Sequence, residues 1–128
     1  MTILNIDNQV PSASQCKARL NAMADALHVI GGKWKLRIII ALTDGNKRFN
    51  EMQRLVDGIS ARVLSAELKE LELNGFVRRN VLSGMPVVVE YELTEYAETL
   101  NGVLQSLSEW GAMHKDKVRK SFHEESLS

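Results

Sequence analysis

The apolar residues near the start of the chain recur at the spacing of a helix. From Ala18 onward they fall three or four positions apart, which predicts a first helix ended by Gly31–Gly32. The next segment, from Lys33 to Leu42, is apolar on nearly all sides and predicts a second helix that is central and buried. The apolar face of the first helix comprises Leu20, Met23, Ala24, Leu27 and Ile30.

A short helix, a tight turn and a longer helix are predicted next. Lys47 to Phe49 is a short extended step, and Asn50, with Gln53 three residues later, has the pattern of a capping box for a helix over residues 51–56. After the turn at Asp57–Gly58, Ser60 is a good N-cap for the fourth helix. Asn74–Gly75 ends that helix.

Alternating apolar and polar residues follow, as in a two-stranded ribbon. Val77–Leu82 and Val87–Leu93 are the predicted strands, and residues 83–86 (SGMP) supply the turn between them. Thr94 is predicted to cap a last helix. If that helix runs to Phe122 it spans roughly 40 Å, longer than a domain of this size needs for its own core.

This order of elements predicts a mainly α protein with a small antiparallel β-wing, the winged helix-turn-helix architecture. We expect a loose N-terminal arm over residues 1–15, the winged-helix domain with its long last helix over 16–122, and a loose tail over 123–128. A winged helix places one helix in a DNA major groove and its hairpin over the flanking backbone. The layout therefore predicts a DNA-binding protein.

Composition bounds the class of protein without deciding the function. The 128 residues are 45% hydrophobic and 25% charged, as in an ordinary globular domain. No apolar run reaches the roughly 18 residues of a membrane span, and the first residues lack the pattern of a signal peptide, so we expect a cytoplasmic protein with no membrane partner. The single cysteine, Cys16, excludes an intrachain disulfide framework.

The distribution of charge favours binding to a polyanion. The formal net charge is zero, but the segment from Lys33 to Arg79 has ten Lys/Arg and six Asp/Glu, a local charge of +4. The sequence has no Ser/Cys-His-acid order, no phosphate-binding loop and no metal-ligand spacing. We therefore expect no enzymatic activity, no metal and no cofactor.

The fourth helix carries the best candidates for base contact. Arg62, Ser65 and Lys69 lie at i, i+3 and i+7, on one side of the helix. Arg62 is the best candidate for bidentate recognition of guanine. The alternative for all three residues is a solvated polar face, which an amphipathic helix normally shows.

Several strings resemble the HxlR-type regulators, winged-helix bacterial transcription factors related to the MarR group. They run in the order and spacing of that family and cover about Cys16 to Gly111, most of the chain. The matching strings are Gly31–Trp34, Arg48–Met52, Gly58–Ser60, Leu68–Glu72, Val89–Thr94 and Glu109–Gly111, with Cys16 upstream.

The resemblance implies a homodimer, held by the terminal helices, on a pseudo-palindromic operator.

Two departures from the family pattern affect the site. Val88 stands where the wing of the family often has a basic residue, so phosphate contact by the wing falls to other residues. The family usually has Cys-Pro, whereas Cys16 is followed by Lys17. The residues left for the wing contact are Arg78, Arg79 and Ser83.

Cys16 is a candidate sensor, because some members of the family detect electrophiles or oxidants through an N-terminal cysteine. Lys17 and Arg19 are close in sequence and could favour the reactive thiolate. Oxidation could then give an intersubunit disulfide or an adduct. The alternative is that Cys16 is a small buried hydrophobic residue.

The candidate residues fall into three groups. The expected DNA contacts are Lys33, Arg48, Asn50, Ser60, Arg62, Ser65, Lys69, Arg78, Arg79 and Ser83. The expected dimer contacts are Leu20, Leu100, Val103, Leu107 and Trp110, and the redox candidate is Cys16. Lys33 and Lys35, placed in the first turn of the second helix, could meet a phosphate or be solvated. A small-molecule effector, or a protein-interaction module without DNA affinity, remain open as alternatives.

Overall fold

A computed structural model describes residues 12–127 of the chain. It contains five α-helices, one 3-10 helix and one two-stranded sheet within that range. The α-helices are α1 (Ala13–Ile30), α2 (Lys35–Leu42), α3 (Phe49–Leu55), α4 (Ala61–Leu73) and α5 (Asn101–Leu127). The strands are β1 (Val77–Leu82) and β2 (Val88–Leu93), and the 3-10 helix spans Glu95–Leu100. The predicted winged helix-turn-helix architecture is confirmed.

Helix α1 begins five residues earlier than the apolar spacing predicted. Ser12 is its N-cap, and Gln15 donates its backbone N–H to the Ser12 hydroxyl at 3.2 Å. The Gln15 side chain in turn accepts from the Ser12 N–H at 2.8 Å, which completes a capping box. Residues 13–15 of the predicted loose arm are therefore helical, while the part of the arm at residues 1–11 lies outside the described residues.

The predicted cap of α3 was wrong. The helix begins at Phe49 with Arg48 as N-cap, and the Arg48 N–H donates to the Glu51 carboxylate at 2.9 Å. Glu51, the third residue of the helix, accepts this bond with a carboxylate, and its negative charge also complements the helix dipole. The neutral amide of Gln53, which the predicted capping box used instead, carries no such charge. Asn50 therefore sits inside the first turn, with its side chain exposed.

Helix α4 has the boundaries that its capping residues predicted. The Val63 N–H donates to the Ser60 hydroxyl at 3.1 Å. At the other end Gly75 has φ +82°, the left-handed conformation that glycine tolerates. The N–H of Phe76 reaches the carbonyl of Leu71 at 2.9 Å, closing a Schellman motif.

The two strands pair antiparallel, with Val77 opposite Leu93 and Leu82 opposite Val88. The predicted β1 is confirmed, and β2 begins one residue later than predicted. Lys47 forms an isolated bridge to Tyr91, so the predicted extended step before α3 borders the ribbon. The Thr94 hydroxyl does not cap the next helix but donates to the Gly75 carbonyl at 2.5 Å, which fastens the ribbon to the end of α4.

The core lies where α2, α3, α4 and the base of the ribbon meet. Helix α2 was predicted to be buried on nearly all sides. This prediction was wrong on one side, where Ile40 is 46% exposed. Helix α5 extends through five residues of the predicted loose tail and ends at Leu127. None of the described helices is both long enough and apolar enough to cross a bilayer. The core residues include Ile38, Ile39, Leu42, Met52, Leu64, Leu68, Leu71, Phe76 and Val77.

Candidate nucleic-acid interface

Helix α4 has one buried side and one polar side. Leu64, Leu68 and Leu71 are buried in the core. Helical geometry at 3.6 residues per turn directs Arg62, Ser65 and Lys69 away from those leucines, and all three residues are exposed. The leucines thus fix which side of α4 faces outward, and the three predicted contact residues lie on it together.

Lys35 fastens α4 to α2 from the flank. Its ammonium group lies 2.9 Å from the Glu67 carboxylate and 2.6 Å from that of Glu70, and its side chain is only 12% exposed. The hydrogen bond from Lys35 lowers the pKa of Glu70, and the bond to Glu70 raises the pKa of Lys35. Neither sequence expectation for Lys35, a phosphate contact or simple solvation, holds.

Arg79 lies beside the polar side of α4. The antiparallel register places it opposite Tyr91, on the face of the ribbon that also carries the buried Val77. Arg79 shares a small cleft of about 160 Å³ with Ser65 and Lys69, which Leu68, Glu72 and Tyr91 also line. The helix and the base of the ribbon therefore form one continuous polar surface.

Arg78 points to the other face of the ribbon. Its guanidinium group bonds Glu92 at 2.9 Å, and the Asn80 amide bonds the same carboxylate oxygen at 2.9 Å. The hydrogen bonds from Asn80 and then Arg78 lower the pKa of Glu92. Of the three candidates for the wing contact, Arg78 is engaged with an acid away from α4, whereas Ser83 is exposed at the turn.

The remaining candidate contacts precede α4 in the chain. Arg48 and Asn50 are exposed at the start of α3. The Ser60 hydroxyl accepts the hydrogen bond that caps α4. Lys33 is exposed and precedes α2 instead of belonging to its first turn. Its ammonium group lies 4.8 Å from the centre of the Trp34 ring, a cation–π distance.

The expected dimer contacts divide into two sets. Leu20 on α1 and Val103, Leu107 and Trp110 on α5 are exposed large apolar side chains. Leu100, in contrast, is 9% exposed and belongs to the core of the chain itself.

The Cys16 thiol is exposed in the first turn of α1. The expectation that it is a buried hydrophobic residue does not hold within the single chain. Cys16 also falls on the side of α1 that carries Leu20, Met23 and Leu27, since their spacing is four, three and four residues. Sequence reasoning missed this alignment, although the spacing alone could have shown it. No local signal could have found the Lys35 pairs, because they join two helices.

A winged helix with one exposed polar side and one side packed in a leucine core has the architecture of the helix-turn-helix proteins. The sequence profile of the HxlR-like helix-turn-helix family matches residues 29–119, and the chain belongs to this family.

Known relatives agree with this assignment. The chain is 45% identical to YtcD of Bacillus subtilis (strain 168), an uncharacterized HTH-type transcriptional regulator, over 80% of this chain and 82% of YtcD. It superposes on the redox regulator HypR in its reduced form with a TM-score of 0.72 and 40% identity, over 77% of this chain and 98% of HypR. It superposes on the reduced form of the transcriptional regulator YodB from B. subtilis with a TM-score of 0.63 and 42% identity, over 70% of this chain and 87% of YodB.

Proposed function

We propose that the protein is a homodimer that binds a pseudo-palindromic operator, with α4 of each protomer in a major groove. The observation that carries this proposal is the polar surface of Arg62, Ser65, Lys69 and Arg79, which is exposed and continuous across two elements. Base edges are read by side chains on such a helix, and phosphates are held by cations beside it. Lys33, Arg48 and Asn50 are exposed and would supply contacts to the DNA backbone.

The terminal helices support the homodimer. Helix α1 has no buried residue, and much of the apolar surface of α5 is exposed, including Trp110 at 58%. Exposed apolar area of this extent marks a protein–protein interface. A two-fold axis between the helices would space two copies of α4 about one turn of DNA apart.

Selection of bound sequences from random double-stranded DNA tests this proposal. We expect enrichment of a pseudo-palindrome with half-sites about 10 base pairs apart. Failure to enrich any sequence would contradict the proposal and favour a protein-interaction module.

The exposed thiol of Cys16 supports a second proposal, that DNA binding responds to oxidants or electrophiles. Similarity to HypR, which is described as a redox regulator, points the same way. Two Cys16 thiols, one from each protomer, would form a disulfide bond. Together they would give up two protons and two electrons to an oxidant such as hydrogen peroxide, whose O–O bond breaks to leave two water molecules. An electrophile would instead add to one thiolate without any change in oxidation state.

The selection repeated on protein treated with peroxide or with a quinone tests this second proposal. We expect the treated protein to lose the pseudo-palindrome and Cys16→Ser to keep it. An operator unaffected by treatment would contradict the sensing proposal while leaving the DNA-binding proposal intact. Mass spectrometry distinguishes a disulfide from an adduct.

A further inference from the structure

We propose that the tip of the β-ribbon binds the DNA minor groove through apolar contact, with Met85 as a wedge at a base step outside each half-site. The inference rests on the proposed operator binding and adds to it a residue that determines specificity by bending the DNA. Val88 stands where a basic residue was expected, and the apolar contact gives the ribbon a different chemistry for holding DNA.

The two faces of the β-ribbon differ in charge. Glu90 and Glu92, the two acids of the strands, lie on one face. The opposite face includes Arg79, borders α4 and carries no acid among its six strand residues. These six residues are Val77, Arg79, Val81, Val89, Tyr91 and Leu93. The face of Arg79 is therefore the one that can approach DNA phosphates without repulsion.

From Arg79 the same face continues outward as an apolar surface. Val81 is 57% exposed, Met85 in the turn is 100% exposed, and Val87 is exposed as well. No charged residue occurs among residues 81–88. Exposed apolar side chains that lie together mark a binding surface, because water solvates them poorly. The continuity of this surface with the polar surface of α4 points to the same partner, DNA.

The ribbon is long enough to reach from one DNA groove to the next. At about 3.3 Å per residue, the four steps from Arg79 to Ser83 extend it roughly 13 Å past the cleft that Arg79 shares with α4. Half a turn of DNA, roughly 17 Å, separates the centre of a major groove from the adjacent minor groove. With α4 in the major groove, the turn that carries Met85 therefore comes to the flanking minor groove.

Met85 and Pro86 are of the side-chain types that wedge into base steps. Proteins that bind the minor groove insert Met, Pro, Leu, Ile or Phe between base pairs and so bend the duplex toward the major groove. The cost of this deformation is lowest at the pyrimidine–purine steps TA and CA/TG, which are the most flexible. A wedge at Met85 would therefore select such a step without any hydrogen bond to its bases.

Fluorescence energy transfer between dyes at the two ends of the selected operator measures the bend. We expect wild-type protein to bring the ends closer. Met85→Ser should leave the duplex nearly straight and lower operator affinity about fivefold. Met85→Leu is the matched control and should retain the bend and the affinity, because leucine is also a wedge side chain. Met85 is fully exposed, so neither substitution disturbs the core. A Met85→Ser variant that bends and binds the operator as wild type does would overturn the wedge.

Two acidic substitutions test which face of the ribbon meets the DNA. Val81→Glu adds a carboxylate to the face of Arg79 and should lower operator affinity about tenfold or more. Leu82→Glu is the matched control, because it adds the same charge to the face of Glu90 and Glu92, and it should lower affinity less than about twofold. Val81 and Leu82 are both exposed, so both variants keep the fold. Equal losses would overturn the assignment of the face.

Selection of bound sequences separates this inference from the proposed function. Wild-type protein should enrich a TA or CA/TG step at a fixed distance outside each half-site, and Met85→Ser should keep the half-sites but lose that step. A wild type that binds a pseudo-palindrome with no such step and without bending it would overturn the wedge alone. A wild type that enriches no sequence would overturn the proposed operator binding and the wedge together.

Discussion

Arg78 and Arg79 are neighbours in sequence but lie on opposite faces of the β-ribbon. Arg78 faces Glu92 and bonds its carboxylate at 2.9 Å. Arg79 faces Tyr91 and shares the cleft beside Ser65 and Lys69 of α4. Because successive side chains of a strand point to opposite faces, one of two identical side chains pairs with Glu92 across the ribbon and the other lies on the proposed DNA surface.

This division predicts different effects of the same substitution. Arg79→Ala should weaken binding to all DNA sequences and reduce the slope of log K against log salt by about 1, because one phosphate contact is lost. Arg78→Ala is the matched control and should change that slope little. Fluorescence anisotropy at several salt concentrations measures both. Equal slopes for the two variants would contradict the assignment of Arg79.

Arg62→Ala should reduce discrimination between sequences. The loss for the selected operator should be about 1–3 kcal/mol, with a much smaller loss for random DNA, because a base contact is sequence-dependent. Lys33→Ala is the control, because the loss of a phosphate contact should weaken binding to operator and to random DNA by the same amount. An equal loss on operator and random DNA after Arg62→Ala would show that Arg62 does not read bases.

Two serines on α4 separate stability from recognition. Ser60→Ala removes the N-cap bond to Val63 and should lower the free energy of unfolding by about 1 kcal/mol. Ser65→Ala, on the exposed side, should change stability by less than about 0.5 kcal/mol but weaken operator binding. Chemical denaturation and DNA titration of both variants measure the two effects. Ser65→Ala with unchanged affinity would remove Ser65 from the interface.

The contacts of Lys35 predict a pH-dependent contribution to stability. Glu70 has a lowered pKa, so its contribution to stability is fully present above the usual carboxyl pKa of 4.5 and is lost as the pH falls below that value. Lys35 has a raised pKa, so its contribution to stability is fully present below the usual lysine pKa of 10.5 and is lost as the pH rises above that value. Lys35→Met should thus lower the denaturant midpoint most between these limits, with a difference that shrinks toward pH 3.

An exposed ion pair supplies the control for Lys35. Lys120 pairs with Asp116 at 3.1 Å on the surface of α5, where both side chains are more than half exposed. Lys120→Met should leave the midpoint nearly unchanged, because exposed pairs contribute little. A wild-type minus Lys35→Met difference that stays constant from pH 3 to 7 would contradict the role assigned to Glu70.

Elements whose signals are local could be predicted from the sequence. Ser60 and Gly75 bound α4, and each acts through a hydrogen bond or a backbone angle within a few residues. The N-cap of α3 was misassigned because Asn50 and Arg48 both precede an acceptor three residues later. The choice depended on the carboxylate of Glu51, which sequence reasoning did not weigh against Gln53.

Features that join distant segments could not be predicted in this way. The Lys35 pairs connect residues more than thirty positions apart, and the ribbon assigns Arg79 to the α4 side only through its register with β2. Ile40 is 46% exposed, which the apolar composition of α2 alone does not reveal. Long-range packing decided each of these outcomes.

Leu100 and Leu107 provide the last prediction, because the sequence placed both at the dimer interface and the structure separates them. Leu100 is 9% exposed within the chain and Leu107 is 52% exposed. Leu100→Ala should cost about 2 kcal/mol of stability at every protein concentration, as a core cavity does. Leu107→Ala should act through dissociation of the dimer, so its effect on Tm should grow as the protein is diluted. Thermal unfolding over a hundredfold range of concentration distinguishes the two. A concentration-independent effect of Leu107→Ala would place Leu107 outside the dimer interface.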